Sequence, residues 1–101
     1  MTYSHREVKW LVENYQDYID PKVSINPEFV HKFVDMKRSY VELPASTREI
    51  LFMCGVMGMD KITVGWLTNM HRSTVYRQYK EGLRSLTSLM NGGTYGEQEQ
   101  D

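Results

Sequence analysis

The segment at residues 69–86, NMHRSTVYRQYKEGLRSL, concentrates basic side chains in a chain that is not basic elsewhere. On a helix its apolar residues share one side, at steps of four, four and three: Val75, Tyr79, Leu83 and Leu86. Its polar and basic residues share the other side: Ser73, Tyr76, Arg77, Lys80 and Arg84. The charge therefore forms a stripe along the solvent side of a predicted amphipathic helix.

Charge is unevenly distributed along the chain, although the net charge is only −1. Residues 43–90 hold six Lys and Arg against three Asp and Glu, and residues 91–101 hold three acids and no base. This asymmetry favours an anionic partner for the middle segment. On charge alone, such a stripe is usually a solvated surface that serves only solubility.

Residue types that carry catalysis or bind metals are not grouped in this sequence. His5, His31 and His71 lie far apart, and no spacing with Cys54 suits a metal site. We find no Ser/His/Asp set, no paired carboxylates and no phosphate-loop motif. The sequence therefore predicts neither an enzyme nor a cofactor or metal site.

The expected compartment is the cytoplasm. The single cysteine, Cys54, has no partner for a disulfide, which fits a reducing environment. No apolar run approaches membrane-spanning length, and no signal-peptide core follows the polar start MTYSHREVK. We expect no membrane partner.

Capping residues and prolines divide the chain into about five predicted helices, and no segment alternates at period two, so the predicted fold is all-α. The first helix follows the Ser4–Glu7 capping box and ends before Pro21. The second begins at Asn26-Pro27 and runs to about Tyr40.

The second half of the chain contains the other three predicted helices. The third opens at Pro44 and stops at Gly58, and we expect four residues on its buried side: Ile50, Leu51, Cys54 and Met57. Asp60 caps a short fourth helix of roughly 61–67, and Asn69, which tolerates positive φ, forms a turn before the last helix, 72–89. The expected scaffold of this half is Ile50, Cys54, Val64, Leu67, Val75, Tyr79, Leu83 and Leu86.

A short helix, a tight turn and a longer helix with polar outer residues are the parts of a helix-turn-helix, whose second helix fits the major groove of DNA. We expect four side chains to face base edges: Arg72, Ser73, Tyr76 and Arg77. Three others should face phosphates, with two more assisting: Thr74, Lys80 and Arg84, then Lys61 and Arg48.

Residues 43–87 resemble the fourth conserved region of bacterial sigma factors, the helix-turn-helix that reads the −35 promoter element. The matching features, without a gap, are Leu43-Pro44, Thr47-Arg48-Glu49, Ile50, Gly58, Gly65, Asn69, Ser73-Thr74-Val75 and Leu83-Arg84-Ser85-Leu86. The resemblance covers under half of the chain. It implies double-stranded DNA and RNA polymerase as partners.

The sequence departs from the family pattern at several places. Gly65 stands for the usual alanine, at a cost in helix propensity of about 1 kcal/mol. Asn69 stands for the usual turn glycine, and Trp66 stands where an exposed acid is common. A chain of 101 residues also lacks room for the promoter-melting domain of a complete sigma factor. It resembles instead the small sigma-like regulators of bacteriophages and Gram-positive bacteria, or one subunit of a split sigma factor.

The sequence thus predicts a small DNA-binding regulator of transcription in three parts. Residues 1–42 form a two-helix segment that packs on or extends the helix-turn-helix of 43–90, and residues 91–101 form a flexible acidic tail. Two alternatives stay open: a module that docks on RNA polymerase or another protein, and a phage DNA-packaging subunit. The aromatic first helix serves either as a cap on the core or as a surface for a homodimer.

Overall fold

The computed structural model describes residues 2–93, and every regular element in that range is helical. The six helices there are α1 His5–Glu13, α2 Tyr15–Ile19, α3 Pro27–Tyr40, α4 Ala45–Leu51, α5 Lys61–Thr68 and α6 Arg72–Met90. A π-helical turn, Phe52–Val56, continues α4. The all-α prediction is confirmed. The predicted acidic tail lies, apart from its first three residues, outside the described residues.

The first predicted helix is two helices, which makes six rather than about five. Its start is as expected, because the Ser4 side chain accepts a hydrogen bond from the Glu7 amide at 3.1 Å. The break lies at Asn14, whose side-chain amide donates to the Trp10 carbonyl at 2.9 Å. A side chain that bonds the carbonyls of the preceding turn competes with the helical ladder, and α1 ends there.

The π-helical turn explains why one buried residue was predicted wrongly. The Met57 amide donates to the Phe52 carbonyl at 2.8 Å, five residues back instead of four. The extra residue delays the following side chains by about 100° around the axis. Adjacent Cys54 and Gly55 are therefore both buried, and Met57, expected on the buried side, is half exposed.

Helix α6 lies at the centre of the fold and contacts α1, α3, α4 and α5. The four apolar residues predicted for its inner side are all buried: Val75, Tyr79, Leu83 and Leu86. Gly82 permits the approach of α4, since a Cβ at that position would lie 3.1 Å from Thr47 Cγ2 and 3.2 Å from Leu51 Cδ2. The absence of a side chain at Gly82 therefore allows α4 and α6 to pack closely.

Helix α5 begins and ends at the two predicted residues, Asp60 and Asn69. The Asp60 carboxylate accepts from the Thr63 amide at 2.8 Å and begins α5. Asn69 is left-handed, with φ of 59°, and ends it. Gly65 packs directly beneath the turn, because a Cβ there would lie 2.5 Å from the Met70 carbonyl oxygen. The turn, and not local propensity, therefore requires glycine at this position.

Leu67 does not belong to the scaffold, contrary to the prediction. It is 64% exposed, because α5 turns Val64 and Gly65 inward and Leu67 lies about a third of a turn from the midpoint of these two residues.

The two ends of the described chain are clasped together. The Tyr3 amide donates to Asn91 Oδ1 at 2.6 Å, and the Asn91 side-chain amide donates to the Tyr3 carbonyl at 2.9 Å. The Tyr3 hydroxyl donates to Asp35 of α3 at 2.7 Å. Residues before α1 thus tie the end of α6 to α3.

Gly65→Ala should lower the free energy of unfolding by about 1–3 kcal/mol, although alanine is the better helix former. The reason is the contact of the new methyl group with the Met70 carbonyl. Chemical denaturation measures the change, with Glu81→Ala, at an exposed position of α6, as the control for helix propensity. A Gly65→Ala protein as stable as the parent would contradict this packing.

Tyr3→Phe should alter how stability depends on alkaline pH. Burial and the Asp35 carboxylate raise the pKa of the Tyr3 hydroxyl from 10.0 to about 12. The folded state therefore keeps this proton where the unfolded state loses it, so the contribution is intact below pH 10 and is lost as pH rises to 12. Denaturation series should show the parent losing more stability than Tyr3→Phe over that interval; parallel curves would refute the assignment.

Candidate nucleic-acid interface

The outer side of α6 presents the predicted basic stripe to solvent. Six of the predicted contact residues of α6 are exposed: Arg72, Ser73, Tyr76, Arg77, Lys80 and Arg84. Thr74, the seventh, is half-buried. The helices that pack on α6 bury its apolar side and leave the stripe uncovered. This side of α6 is therefore accessible to a nucleic acid.

The first turn of α6 is organised by His71. His71 caps the helix. Its Nδ1 accepts from the Ser73 amide at 3.1 Å and lies 2.8 Å from the Ser73 hydroxyl. The cap thereby fixes the position of Ser73 at the exposed start of the stripe.

Two lysines are held against tyrosine rings beside the stripe. The Lys80 ammonium lies 5.3 Å from the centre of the Tyr76 ring, one turn away on α6. Lys61 of α5 lies 5.0 Å from the centre of the Tyr79 ring, so α5 adds its lysine to the surface of α6. Such contacts orient the cationic groups and leave their outer sides available to an anion.

Arg48 is not brought together with the other predicted contact residues. Its guanidinium donates to the carbonyls of Val41 and Leu43, at 3.3 and 2.5 Å, and so closes the end of α3. Its helix, α4, packs against Gly82, which is half a turn around α6 from Ser73. We therefore leave Arg48 out of the proposed interface.

A carboxylate of α1 stands beside the basic stripe, in addition to Glu81, which is exposed on α6 itself. Glu13, at the end of α1, accepts a hydrogen bond from the Tyr79 hydroxyl at 2.9 Å and lies 4.0 Å from the Lys9 ammonium. Burial and the neighbouring Glu13 raise the pKa of Tyr79, so its hydroxyl remains a donor across the physiological range. This bond positions α1 relative to α6.

Basic residues of α1 border the stripe and were missed by the sequence prediction. His5, Arg6 and Lys9 line a groove with three residues of α6: Lys80, Leu83 and Arg84. Helical spacing of the three α1 residues is visible in the sequence. Their position beside the end of α6 is not, because it depends on how two distant segments pack.

The aromatic side chains of α1 and α2 pack on α3. Tyr18 stacks on Phe33 at a centroid distance of 4.8 Å, and Trp10 lies 5.8 Å from the same ring. Tyr18 therefore adds to the core, as the first of the two interpretations predicted, whereas Trp10 remains 43% exposed. The homodimer surface stays a prediction. In contrast, α5 exposes a group of apolar side chains: Ile62, Trp66 and Leu67.

Among residues 2–93 there is no group of three or more His, Cys, Asp or Glu side chains placed to hold a metal ion. Over the same range no helix combines the length and the apolar character needed to cross a membrane. No family model, no curated protein and no solved structure matches the chain.

Tyr79 and Glu13 should be energetically coupled, because their hydrogen bond joins α1 to α6. A double-mutant cycle of Tyr79→Phe and Glu13→Ala, measured by denaturation, should give a coupling of about 1 kcal/mol. Additive effects would show that the bond does not hold the two helices together.

Proposed function

We propose that the protein is a small sequence-specific DNA-binding regulator of transcription. In this proposal α5, the turn at Asn69 and α6 form a helix-turn-helix, with α6 in the major groove. The observation that carries the proposal is the uncovered cationic stripe of α6, which directly follows a turn tightened by Gly65. Helix α6 carries four basic residues and one acid, Glu81, as an electrostatic footprint of nucleic-acid binding requires.

The two halves of the stripe have different tasks in this mode of binding. Residues near the start of a recognition helix contact base edges, so we assign Arg72, Ser73, Tyr76 and Arg77 to sequence reading. Arginine can pair bidentately with guanine there. We assign Thr74, Lys80, Arg84 and Lys61 to the phosphates, which position the protein without reading sequence.

The resemblance of residues 43–87 to the fourth region of sigma factors supports transcription as the process, with RNA polymerase as a further partner. It supports no enzymatic role, and the proposal includes none. A homodimer on paired half-sites would strengthen the binding of so small a module.

A second candidate function is docking on RNA polymerase or another protein without reading DNA. The exposed apolar group of α5 favours it, above all Trp66, which is 87% exposed. A contact of that kind should change little with salt, whereas electrostatic binding to duplex DNA must weaken steeply as salt rises. A salt titration with random duplex DNA separates the two candidates.

Arg77→Ala should weaken binding to the preferred duplex, found by selection from a random pool, by about 1–3 kcal/mol and relax the preference at one position. Lys80→Ala should weaken binding to all duplexes alike and reduce the salt dependence. Fluorescence anisotropy measures both.

Matched controls for these two variants lie on α3, where Arg38 and Lys37 are exposed and border a depression between α2 and α3 that no residue of α6 lines. Arg38→Ala and Lys37→Ala remove the same charges from the protein. Because both residues lie outside the proposed interface, neither variant should change sequence preference. If Arg77→Ala and Lys80→Ala bind no differently from these controls, α6 is not the DNA-reading helix.

A further inference from the structure

A second basic surface runs beside the stripe, and it is built by a helix outside the helix-turn-helix. It is a groove between α1 and α6, defined by six residues: His5, Arg6, Lys9, Lys80, Leu83 and Arg84. The four Lys and Arg side chains are exposed, and Leu83 is buried below them. Because the two helices are far apart in the sequence, this concentration of charge is a product of the fold.

Two nearby carboxylates make bonds outside the groove, although Glu13 also stands at its edge, 4.0 Å from the Lys9 ammonium. Among residues 2–93 no Asp or Glu lines the groove. Glu7 of α1 pairs with Lys32 of α3 at 2.6 Å, and Glu13 accepts from the Tyr79 hydroxyl. Like charges from two helices that face a shared groove repel each other, and an anion held between them would relieve that repulsion.

The basic surface continues past the groove toward α5. Lys9 and Lys80 also border a second depression, whose other residues are Glu13, Lys61, Tyr76, Tyr79 and Leu83. Cationic side chains therefore follow one another from Arg84 to Lys61 across three helices. A continuous path suits an extended polyanion better than a single small ion.

The position of the groove along α6 matches the edge of a major groove. At a rise of 1.5 Å per residue, Arg84 lies about 10 Å beyond Arg77 along the helix, and the major groove is about 12 Å wide. If the first turns of α6 contact base edges, its later turns approach the sugar–phosphate strand that flanks the groove. The side chains of α1 stand beside those later turns.

We propose that the groove between α1 and α6 clamps the phosphate strand that flanks the bound major groove, with Arg6 and Lys9 as phosphate contacts. This inference rests on the proposed function. It makes α1 part of the DNA-binding surface and assigns Glu13 as the acid that limits affinity there.

The test compares the Arg6→Ala/Lys9→Ala double variant with a Lys37→Ala/Arg38→Ala double variant that removes two charges from α3. Binding to selected and random duplexes is measured over a series of salt concentrations. The groove variant should bind selected and random duplexes more weakly by the same factor. The slope of its log K against log salt should be smaller by about 1.8, which corresponds to two phosphate contacts. The α3 variant should keep the slope of the parent. Equal slopes for the two variants would overturn the proposal.

Three further measurements sharpen the test. Glu13→Gln keeps an acceptor for the Tyr79 hydroxyl but removes the charge, so it should tighten DNA binding several-fold; unchanged or weaker binding counts against the clamp. Replacing the flanking phosphates of the DNA by neutral methylphosphonates should weaken DNA binding by the parent protein and leave DNA binding by the groove variant unchanged. Inorganic phosphate that alone saturates the groove at millimolar concentration, followed by NMR, would assign it to a small anion instead.

The α6 variants keep this proposal separate from the proposed function. If Arg77→Ala and Lys80→Ala impair binding while Arg6→Ala/Lys9→Ala does not, only the clamp is wrong. If none of these variants differs from its α3 control, DNA binding by this surface is wrong as a whole.

Discussion

The fold depends on how one long helix divides its surface between water and the core. Helix α6 buries Val75, Tyr79, Leu83 and Leu86 against four other helices, and these contacts fix its rotation about its own axis. Once that rotation is fixed, the cationic side chains have one direction to face. The core and the candidate interface are therefore opposite sides of the same helix, and a change that rotates α6 would disturb both together.

Three glycines allow neighbouring segments to pack closely, and these contacts set the positions of the helices around α6. Gly82 admits α4, and Gly65 admits the turn that leads into α6. Gly55, in the π-helical turn, faces Val12 of α1 and the Tyr79 hydroxyl, where a Cβ would collide with Val12 Cγ1. Together with the bond from Tyr79 to Glu13, this contact places α1 beside α6 and so creates the groove between them.

Local signals in the sequence predicted most of the helices and their ends. Ser4 and Asp60 begin helices through hydrogen bonds to amides three residues on, and Asn69 takes the left-handed conformation that its residue type permits. The amphipathic period of α6 predicted its buried and exposed sides correctly.

The predictions that were wrong or missing depend on information that helical periodicity and capping residues do not carry. Nothing in the periodicity around residues 52–56 indicates a turn with five residues, so Met57 was misplaced, and the position of Arg6 beside Arg84 depends on tertiary packing alone.

The π-helical turn has a consequence for the length of the chain. It ends the helix that α4 begins, and residues 57–60 then lead into α5. Loss of a single residue between 52 and 54 would let the backbone close with ordinary four-residue spacing, and Gly55 would turn by about 100° around the axis. Gly55 would then no longer face Val12 and the Tyr79 hydroxyl, where only a residue without a side chain fits. We therefore expect this segment to tolerate shortening poorly, because the surplus residue keeps α1 in its place.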